Sequence, residues 1–516
     1  MDRPNILWYC TDQQRADTIH ALGNPHIRTP NLDRLVDQGV AFERAYCQSP
    51  ICTPSRASFL TGRYPAAHHV HRNGNDFFPP GETLVTRLLA DAGYDCGLAG
   101  KLHLSRAKGR VERRPDDGYR VFHWSHHPKP DWPEGHAYAD WLQSEHGLDP
   151  QALWAEYGDK PYGVPAEYHQ SRWCTEMTLR FVDEHRLESK DGPWLMSVNP
   201  FDPHAPFDAP QDYLERYDPE TMPWPLFRPE DIDRQTAFAA IDQQTRIARD
   251  PGAMAGSGGI GPGSRAGATR PAAAGAAATE NAAAPDTASQ PPDAYDARLV
   301  KASYYAMVEL IDAELGRLIE GLDERGELDN TIIVFTSDHG ELLGDHGLLL
   351  KGCRFFEPLV HVPLVISWPA RFRQGLRSRA LVELVDVAPT LLEAAGQPVP
   401  DPMQGRSLLP VLTGEADPHV HKPHVVSEYW DAVVLPEAVG PTEHTHATMR
   451  FDGRYKSVVY HGHGLGEIYD LENDPGEFEN LWERPEAAEL KTRLLLEHLD
   501  AFAATGGAGI ERTDSY

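Results

Sequence analysis

The chain has 516 residues, 48 Lys and Arg against 77 Asp and Glu, and a formal net charge of −29, with 41% apolar and 24% charged residues. This composition fits a soluble globular protein with ample core and excludes fibrous or wholly disordered classes. The acidic balance argues against nucleic acid as the main partner, because phosphate backbones are held by Lys and Arg.

No apolar run reaches the roughly eighteen residues of a membrane span, so none is expected. The apolar part of Met1 to Cys10 is too short for a signal-peptide core, and a cytoplasmic location is expected. The six cysteines, at 10, 47, 52, 96, 174 and 353, show no CxxC spacing, so neither a disulfide framework nor a zinc ribbon is expected.

In chain order, Ile6 to Cys10 reads as a buried parallel strand ending at Thr11-Asp12-Gln13-Gln14. Thr29-Pro30 opens a short amphipathic helix that Gly39 closes. A helix over Glu82–Ala92 and a strand over Tyr94–Ala99 continue a βαβ rhythm. Trp194–Val198 is another strand, followed by the Pro-rich loop Asn199–Phe207.

Residues 251–292 shift to Gly, Ala, Pro, Ser and Thr, with little to bury, and read as a mobile surface insertion. Val300, Tyr304, Met307, Val308, Ile311, Leu315, Leu318, Ile319 and Leu322 then repeat at helical spacing. Thr331–Thr336 is a β-branched strand ending at Ser337-Asp338-His339-Gly340, and Val362–Ser367 is one more strand. Beyond residue 420 the segments 454–460 and 467–471 suggest antiparallel strands, with a last helix over Ala487–Phe502. The alternation predicts an α/β fold with a large, mainly parallel sheet flanked by helices. A catalytic unit over 1–420 and a smaller C-terminal α+β subdomain over 421–516 are expected.

The densest chemical signal is Cys52-Thr53-Pro54-Ser55-Arg56-Ala57-Ser58-Phe59-Leu60-Thr61-Gly62-Arg63. Pro54 suits the first turn of a helix and Ser55 can cap it, which puts Cys52 at a helix N-terminus that favours an anion. Arg56, one turn along, can point back to the same place. Asp12 and Asp338 each follow a strand, so the sheet can bring them together at its carboxyl edge. Gln13 and His339 are their neighbours. In Gly100-Lys101-Leu102-His103-Leu104, Lys101 and His103 alternate and can face one side. The run His68-His69-Val70-His71 reads as an ordinary loop after the Cys52 helix. The loop of His123, Trp124, His126, His127 and Trp132 reads as exposed or as lining a pocket.

The dodecapeptide from Cys52 matches the signature C-x-P-S-R-x-x-x-L-T-G-R and resembles that of the type I sulfatases of the alkaline phosphatase superfamily. The resemblance spans nearly the whole chain outside 251–292. It implies that a maturation enzyme, formylglycine-generating or equivalent, oxidises Cys52 to formylglycine. It implies one divalent metal, calcium foremost, held by Asp12, Asp338, the modified Cys52 and a neighbour. It assigns Lys101 and His103 to the formylglycine hydroxyls, and His204 and Lys351 to the sulfate and the leaving group. Many sulfatases have Asp-Asp at the first of these places and Asp-Asn at the second; the pairs Asp12-Gln13 and Asp338-His339 resemble instead the choline-sulfatase and phosphonate-monoester-hydrolase branch. An imidazole ligand such as His339 moves metal preference toward manganese. Asn73 matches a pocket asparagine of the phosphonate-hydrolase branch.

The function so implied is hydrolysis of a sulfate monoester, a small molecule whose alcohol part stays open. The alternatives are a phosphonate monoester or phosphodiester hydrolase with the same nucleophile, and a non-catalytic binding protein with unconverted Cys52. Lys101 and His103 favour sulfate, since in the phosphonate branch that pair is replaced by Tyr and Thr. A two-metal phosphatase would need a second ligand set that the sequence does not offer. Whether the chain forms a homo-oligomer is open.

Overall fold

The computed structural model describes residues 3–128, 133–157, 160, 162–187, 192–238, 240–242, 291–293, 296–431 and 444–507. The expected insertion at 251–292 lies outside them, apart from its last two residues, as does Trp132.

An eight-stranded sheet forms the centre. Across it run Leu376–Ser378, Val40–Phe42, Leu364–Ser367, Thr331–Ser337, Asn5–Thr11, Trp194–Asn199, Asp95–Gly100 and Val121–Trp124. Leu364–Ser367 is antiparallel to both its neighbours; every other pair is parallel. The sheet is therefore mixed but mainly parallel, as its apolar runs imply.

Alternate residues of the central strands feed opposite cores, as the pleat dictates. Ile6, Trp8 and Cys10 join Ile332 and Val334 in a cluster with Phe59 and Leu60 of the helix Cys52–Thr61. Leu7 and Tyr9 join Ile333 and Phe335 on the other face with Ile311, Leu315 and Leu318 of the helix Ala297–Glu324. That long helix carries the periodic positions read from the sequence, all buried.

The run expected as one strand over 362–367 is divided at Pro363. His361–Val362 pairs with Ala45–Tyr46 in a separate three-stranded sheet, while Leu364–Ser367 joins the central one. Proline has no N–H for a ladder, so it marks the point where the chain changes sheets.

The C-terminal part is a four-stranded antiparallel sheet, Val425–Trp430, His446–Phe451, Tyr455–Tyr460 and Leu465–Asp470, backed by the helix Ala488–Thr505. Tyr429, Met449 and Val458 belong to the same apolar cluster as Ile6 and Phe59, so the two parts share one core. Lys456 seals the junction. Its fully buried ammonium donates to Phe355 O at 2.9 Å and pairs with Glu477 at 2.7 Å and Glu357 at 2.6 Å. No described helix is long and apolar enough to cross a membrane. All six cysteines are buried and free.

The helix Pro30–Asp37 begins after Thr29, but no side chain of Thr29 caps it. Asp312 of the long helix accepts instead from Leu32 N at 2.7 Å and Asn31 N at 3.2 Å. Burial pushes the Asp312 carboxyl up to about 7, against those hydrogen bonds. The folded protein then binds a proton that the unfolded chain has lost, so stability falls as pH rises from about 4 through 7. Asp312→Asn keeps an acceptor and removes the ionisation. Chemical denaturation between pH 4 and 8 is expected to show a flatter decline for the variant than for the parent.

Candidate active site

The strands Asn5–Thr11 and Thr331–Ser337 run side by side with Thr11 opposite Ser337. The next residue of each is an aspartate at the carboxyl edge, and Asp12 and Asp338 are both fully buried. Asp338 N donates to Thr11 O at 3.3 Å, and Gln13 N donates to Asp338 Oδ1 at 3.1 Å. Gln13 adopts φ +71, which turns the chain away immediately after Asp12.

The helix Cys52–Thr61 starts at the same edge with Cys52 as its first residue. Ser55 does not cap it, contrary to expectation; its hydroxyl donates to Asp338 O at 2.5 Å. The free N–H of Thr53 donates to Asn73 Oδ1 at 2.9 Å, so Asn73 holds the start of this helix. Arg56 does point back. Its Nε donates to Asp338 Oδ2 at 2.8 Å, its Nη1 donates to Lys101 O at 2.8 Å, and its Nη2 lies 3.7 Å from Asp12 Oδ2.

Lys101 arrives from the strand Asp95–Gly100, two places along the sheet from Asn5–Thr11, through Gly100. Gly100 has φ +112, and a Cβ there would fall 1.9 Å from Asn199 O, so only glycine permits the approach. Lys101 Nζ pairs with Asp12 Oδ2 and lies 3.8 Å from Cys52 Sγ. Lys351 comes from the loop that follows Asp338. Its Nζ is 2.9 Å from Cys52 Sγ, 3.0 Å from Gln13 Oε1 and 3.0 Å from His204 Nε2. His339 Nε2 is 3.2 Å from Cys52 Sγ. In His204 and His339 the Nδ1 sits 2.8 Å from a backbone carbonyl, of Ala205 and Gly340 respectively. Those carbonyls accept from Nδ1, so the uncharged form of each ring turns its Nε2 lone pair into the site; burial opposes the charged form of His339, but Asp338 and Cys52 outweigh it and raise that imidazole above its ordinary value.

Charge is concentrated here out of water. Burial opposes ionisation of Asp12, yet Lys101, then His204, Lys351 and Arg56, hold it well below the usual carboxylate range. Burial and Asp12 raise the Cys52 thiol, but Lys101 and Lys351 outweigh them and bring it below its ordinary value. Burial, reinforced by Lys351, pushes the His204 imidazole well down; burial, Lys101 and Arg56 do the same for His103. Position 52 is thus a place built to hold an anion.

One ligand atom from each of Asp12, Cys52, Asp338 and His339 lies within 4.8 Å of the others. Two carboxylates, an imidazole lone pair and an anionic position at residue 52 make a donor set that fits one divalent cation.

A family model described as "Sulfatase" matches residues 4–397. The chain belongs to the sulfatase family. A second model, "N-sulphoglucosamine sulphohydrolase, C-terminal", matches residues 344–503. The chain is 31% identical to the multifunctional alkaline phosphatase superfamily protein PehA of Trinickia caryophylli, over 95% of this chain and 93% of that protein. It is 26% identical to an arylsulfatase of Clostridium perfringens, over 93% and 90%. The phosphonate monoester hydrolase of Agrobacterium radiobacter superposes with a TM-score of 0.76 at 26% identity, covering 98% of this chain and 96% of that one. These likenesses make the chain a hydrolase of the sulfatase family with the corresponding α/β fold.

At this candidate site the structure unites Asp12, Gln13, Cys52, Arg56, Lys101, His204, Asp338, His339 and Lys351 in one network. His103 stands beside it, in electrostatic reach of Lys101, Arg56, Asp12 and Lys351. In the stretch after the helix, His68 is a packing residue, with Nε2 3.0 Å from Ser58 Oγ and Nδ1 accepting from Val70 N at 3.0 Å. Two supports were not read from the sequence. The Tyr304 hydroxyl donates to Gln13 O at 2.6 Å, although the helical spacing marked it only as apolar. Glu341 accepts from the Gln13 amide and from Leu343 N, and it stands in the Asp338-His339-Gly340-Glu341 run where a signal existed.

Adding calcium or manganese to chelator-stripped protein is expected to raise the unfolding midpoint. At a hundredfold excess over Kd the gain is about 2.7 kcal/mol. Asp338→Ala is expected to abolish the rise in a thermal scan; an equal rise in the variant would place the ion elsewhere.

Proposed function

We propose that the chain hydrolyses a sulfate monoester to an alcohol or phenol and inorganic sulfate, using formylglycine made from Cys52 and one divalent cation. The observation that carries this reading is the position of Cys52 Sγ, 2.9 Å from Lys351 Nζ, 3.2 Å from His339 Nε2 and 3.7 Å from Asp12 Oδ1. A group at residue 52 is thereby placed among cations and metal-type donors at once.

Asp12, Asp338, His339 and residue 52 would hold the cation, with Gln13 at its edge. When bound, the cation supplies Lewis-acid charge to the sulfuryl oxygens and the nucleophile. Calcium suits the carboxylates, and the His339 imidazole leaves manganese as the second choice. Formylglycine supplies an aldehyde whose hydrate has one hydroxyl to attack sulfur and another whose deprotonation expels sulfate.

The chain's own groups do the rest. Lys101 and Arg56 offset negative charge at residue 52, the kind of preorganised electrostatics that contributes most to catalysis. Lys351, 2.9 Å from Cys52 Sγ, would meet the sulfuryl group carried there. Burial opposes its charge, but Cys52, Asp12 and Asp338 keep it protonated above its ordinary range. His204 Nε2 accepts from that ammonium, so the pair holds one proton to give to the leaving oxygen. His103, kept uncharged, is the base for the second hydroxyl.

A second reading, phosphonate monoester or phosphodiester hydrolysis at the same site, is favoured by the similarity to the Agrobacterium phosphonate monoester hydrolase and by the Asp338-His339 pair. A location in the cytoplasm and a maturation enzyme as partner belong to the same proposal.

Intact-peptide mass spectrometry is expected to find the aldehyde at residue 52 in active preparations. Cys52→Ser, which lacks a second hydroxyl, is expected to release at most one leaving group and then stop. Parallel assays with an aryl sulfate and an aryl phosphonate monoester decide between the two esters; a higher kcat/KM for the phosphonate would overturn the sulfate reading. A second test uses pH. Because His103 and His204 are pushed well below 6.5 by burial and nearby cations, kcat is expected to persist as pH falls through 6.5 and to drop only below it.

A further inference from the structure

His103 has an unusual setting for a residue acting as a base. A histidine at a reactive site is normally aimed by a hydrogen bond to the nitrogen that does not react. Here Nδ1 of His103 is buried and has no hydrogen-bond partner. Its backbone stands at φ +58, in the left-handed region that non-glycine residues adopt only when their surroundings impose it.

Two residues outside the network supply that constraint. Glu112, 3% exposed, accepts from His103 N at 2.8 Å and Leu104 N at 2.9 Å. The same carboxylate accepts from Trp124 Nε1 at 2.9 Å. It therefore ties the His103 backbone to the end of the strand Val121–Trp124, two residues before His126. The His126 ring packs edge to face on the His103 ring, with centroids 4.4 Å apart and planes at 75°. The Nδ1 of His126 is likewise buried without a partner. A carboxylate thus fixes the main chain of one imidazole and the approach of the other.

We infer that Glu112 and His126 form a two-sided clamp that positions His103, Glu112 through its backbone and His126 through its ring. The clamp rests on the reading of His103 as the base in the proposed reaction. Among the described residues, neither Glu112 nor His126 hydrogen-bonds to the Cys52 network, so both are positioning residues. The groups facing His103 are Lys101, Arg56, Lys351, Asp12 and His126, and those facing His126 are His103, Lys101, His127 and Asp12. Removing the His126 ring admits water to His103 and relieves its desolvation.

The test uses the full chain. Carbon-13 histidine NMR, with the His103 signal identified by its loss in His103→Gln, follows the His103 titration without needing turnover. His126→Ala is expected to raise its midpoint by about half a pH unit or more, while His126→Phe, which keeps a ring against it, stays within that margin of the parent. In converted protein, Glu112→Gln is expected to lower kcat by about tenfold or more and KM along with it, leaving kcat/KM within about twofold of the parent. A burst of leaving group should remain, because the step served by His103 follows the first transfer. A His103 titration unchanged in His126→Ala overturns the clamp, as does equal behaviour of the Phe and Ala variants. A Glu112→Gln kcat within about twofold of the parent does so too. If the parent hydrolyses no ester, the proposed reaction fails, and the titration alone decides the clamp.

Discussion

Two adjacent parallel strands in fixed register hold the site together. With Thr11 opposite Ser337, the chain exits both strands on an aspartate, and the Gln13 N–H bonds the second aspartate across the gap. A slip of one residue would turn these side chains to the other face of the sheet. The register is secured by the two cores, because Ile6 and Trp8 pack on one side and Leu7 and Tyr9 on the other. Apolar burial far from any chemistry is therefore what sets the separation of the two carboxylates.

Around that pair the structure assembles an excess of cations. Arg56, Lys101 and Lys351 face Asp12 and Asp338, and all are buried. Buried charges are costly unless paired and hydrogen bonded, and here each lysine has a carboxylate, thiol or imidazole within reach. The surplus positive charge falls on residue 52, which explains why a thiol there is easier to ionise than a buried cysteine elsewhere in the chain. At Cys10, Cys47, Cys96 and Cys353 burial wins and drives the thiols up, even where a cation stands near, as Arg56 does at Cys10 and Arg354 at Cys353.

Much of this was legible in the amino-acid order. β-Branched and aromatic runs announced the central strands, and the linear spacing from Cys52 to Arg63 announced the helix at their edge. What stayed hidden are contacts between residues distant in sequence, where local pattern has no say. Thr29 looked like a cap, but a carboxylate from the helix Ala297–Glu324 took its role. Ser55 looked like another, but the carbonyl of Asp338 was a closer acceptor. Tyr304 satisfied a helical period while its hydroxyl served the turn at Gln13. Pro363 sat inside an apolar run that period alone could not divide. The strands Val425–Trp430 and His446–Phe451 are buried on both faces over most of their length, so alternation did not mark them.

The buried Lys456 gives the order of synthesis a structural meaning. It anchors Phe355 and Glu357, a few residues beyond Lys351, to Glu477 near the end of the chain. A ribosome-bound polypeptide can complete the central strands and the Cys52 helix long before this anchor exists. The lysine that closes over residue 52 gains this support only after Lys456 and Glu477 have emerged, well after the strands that carry Asp12 and Asp338.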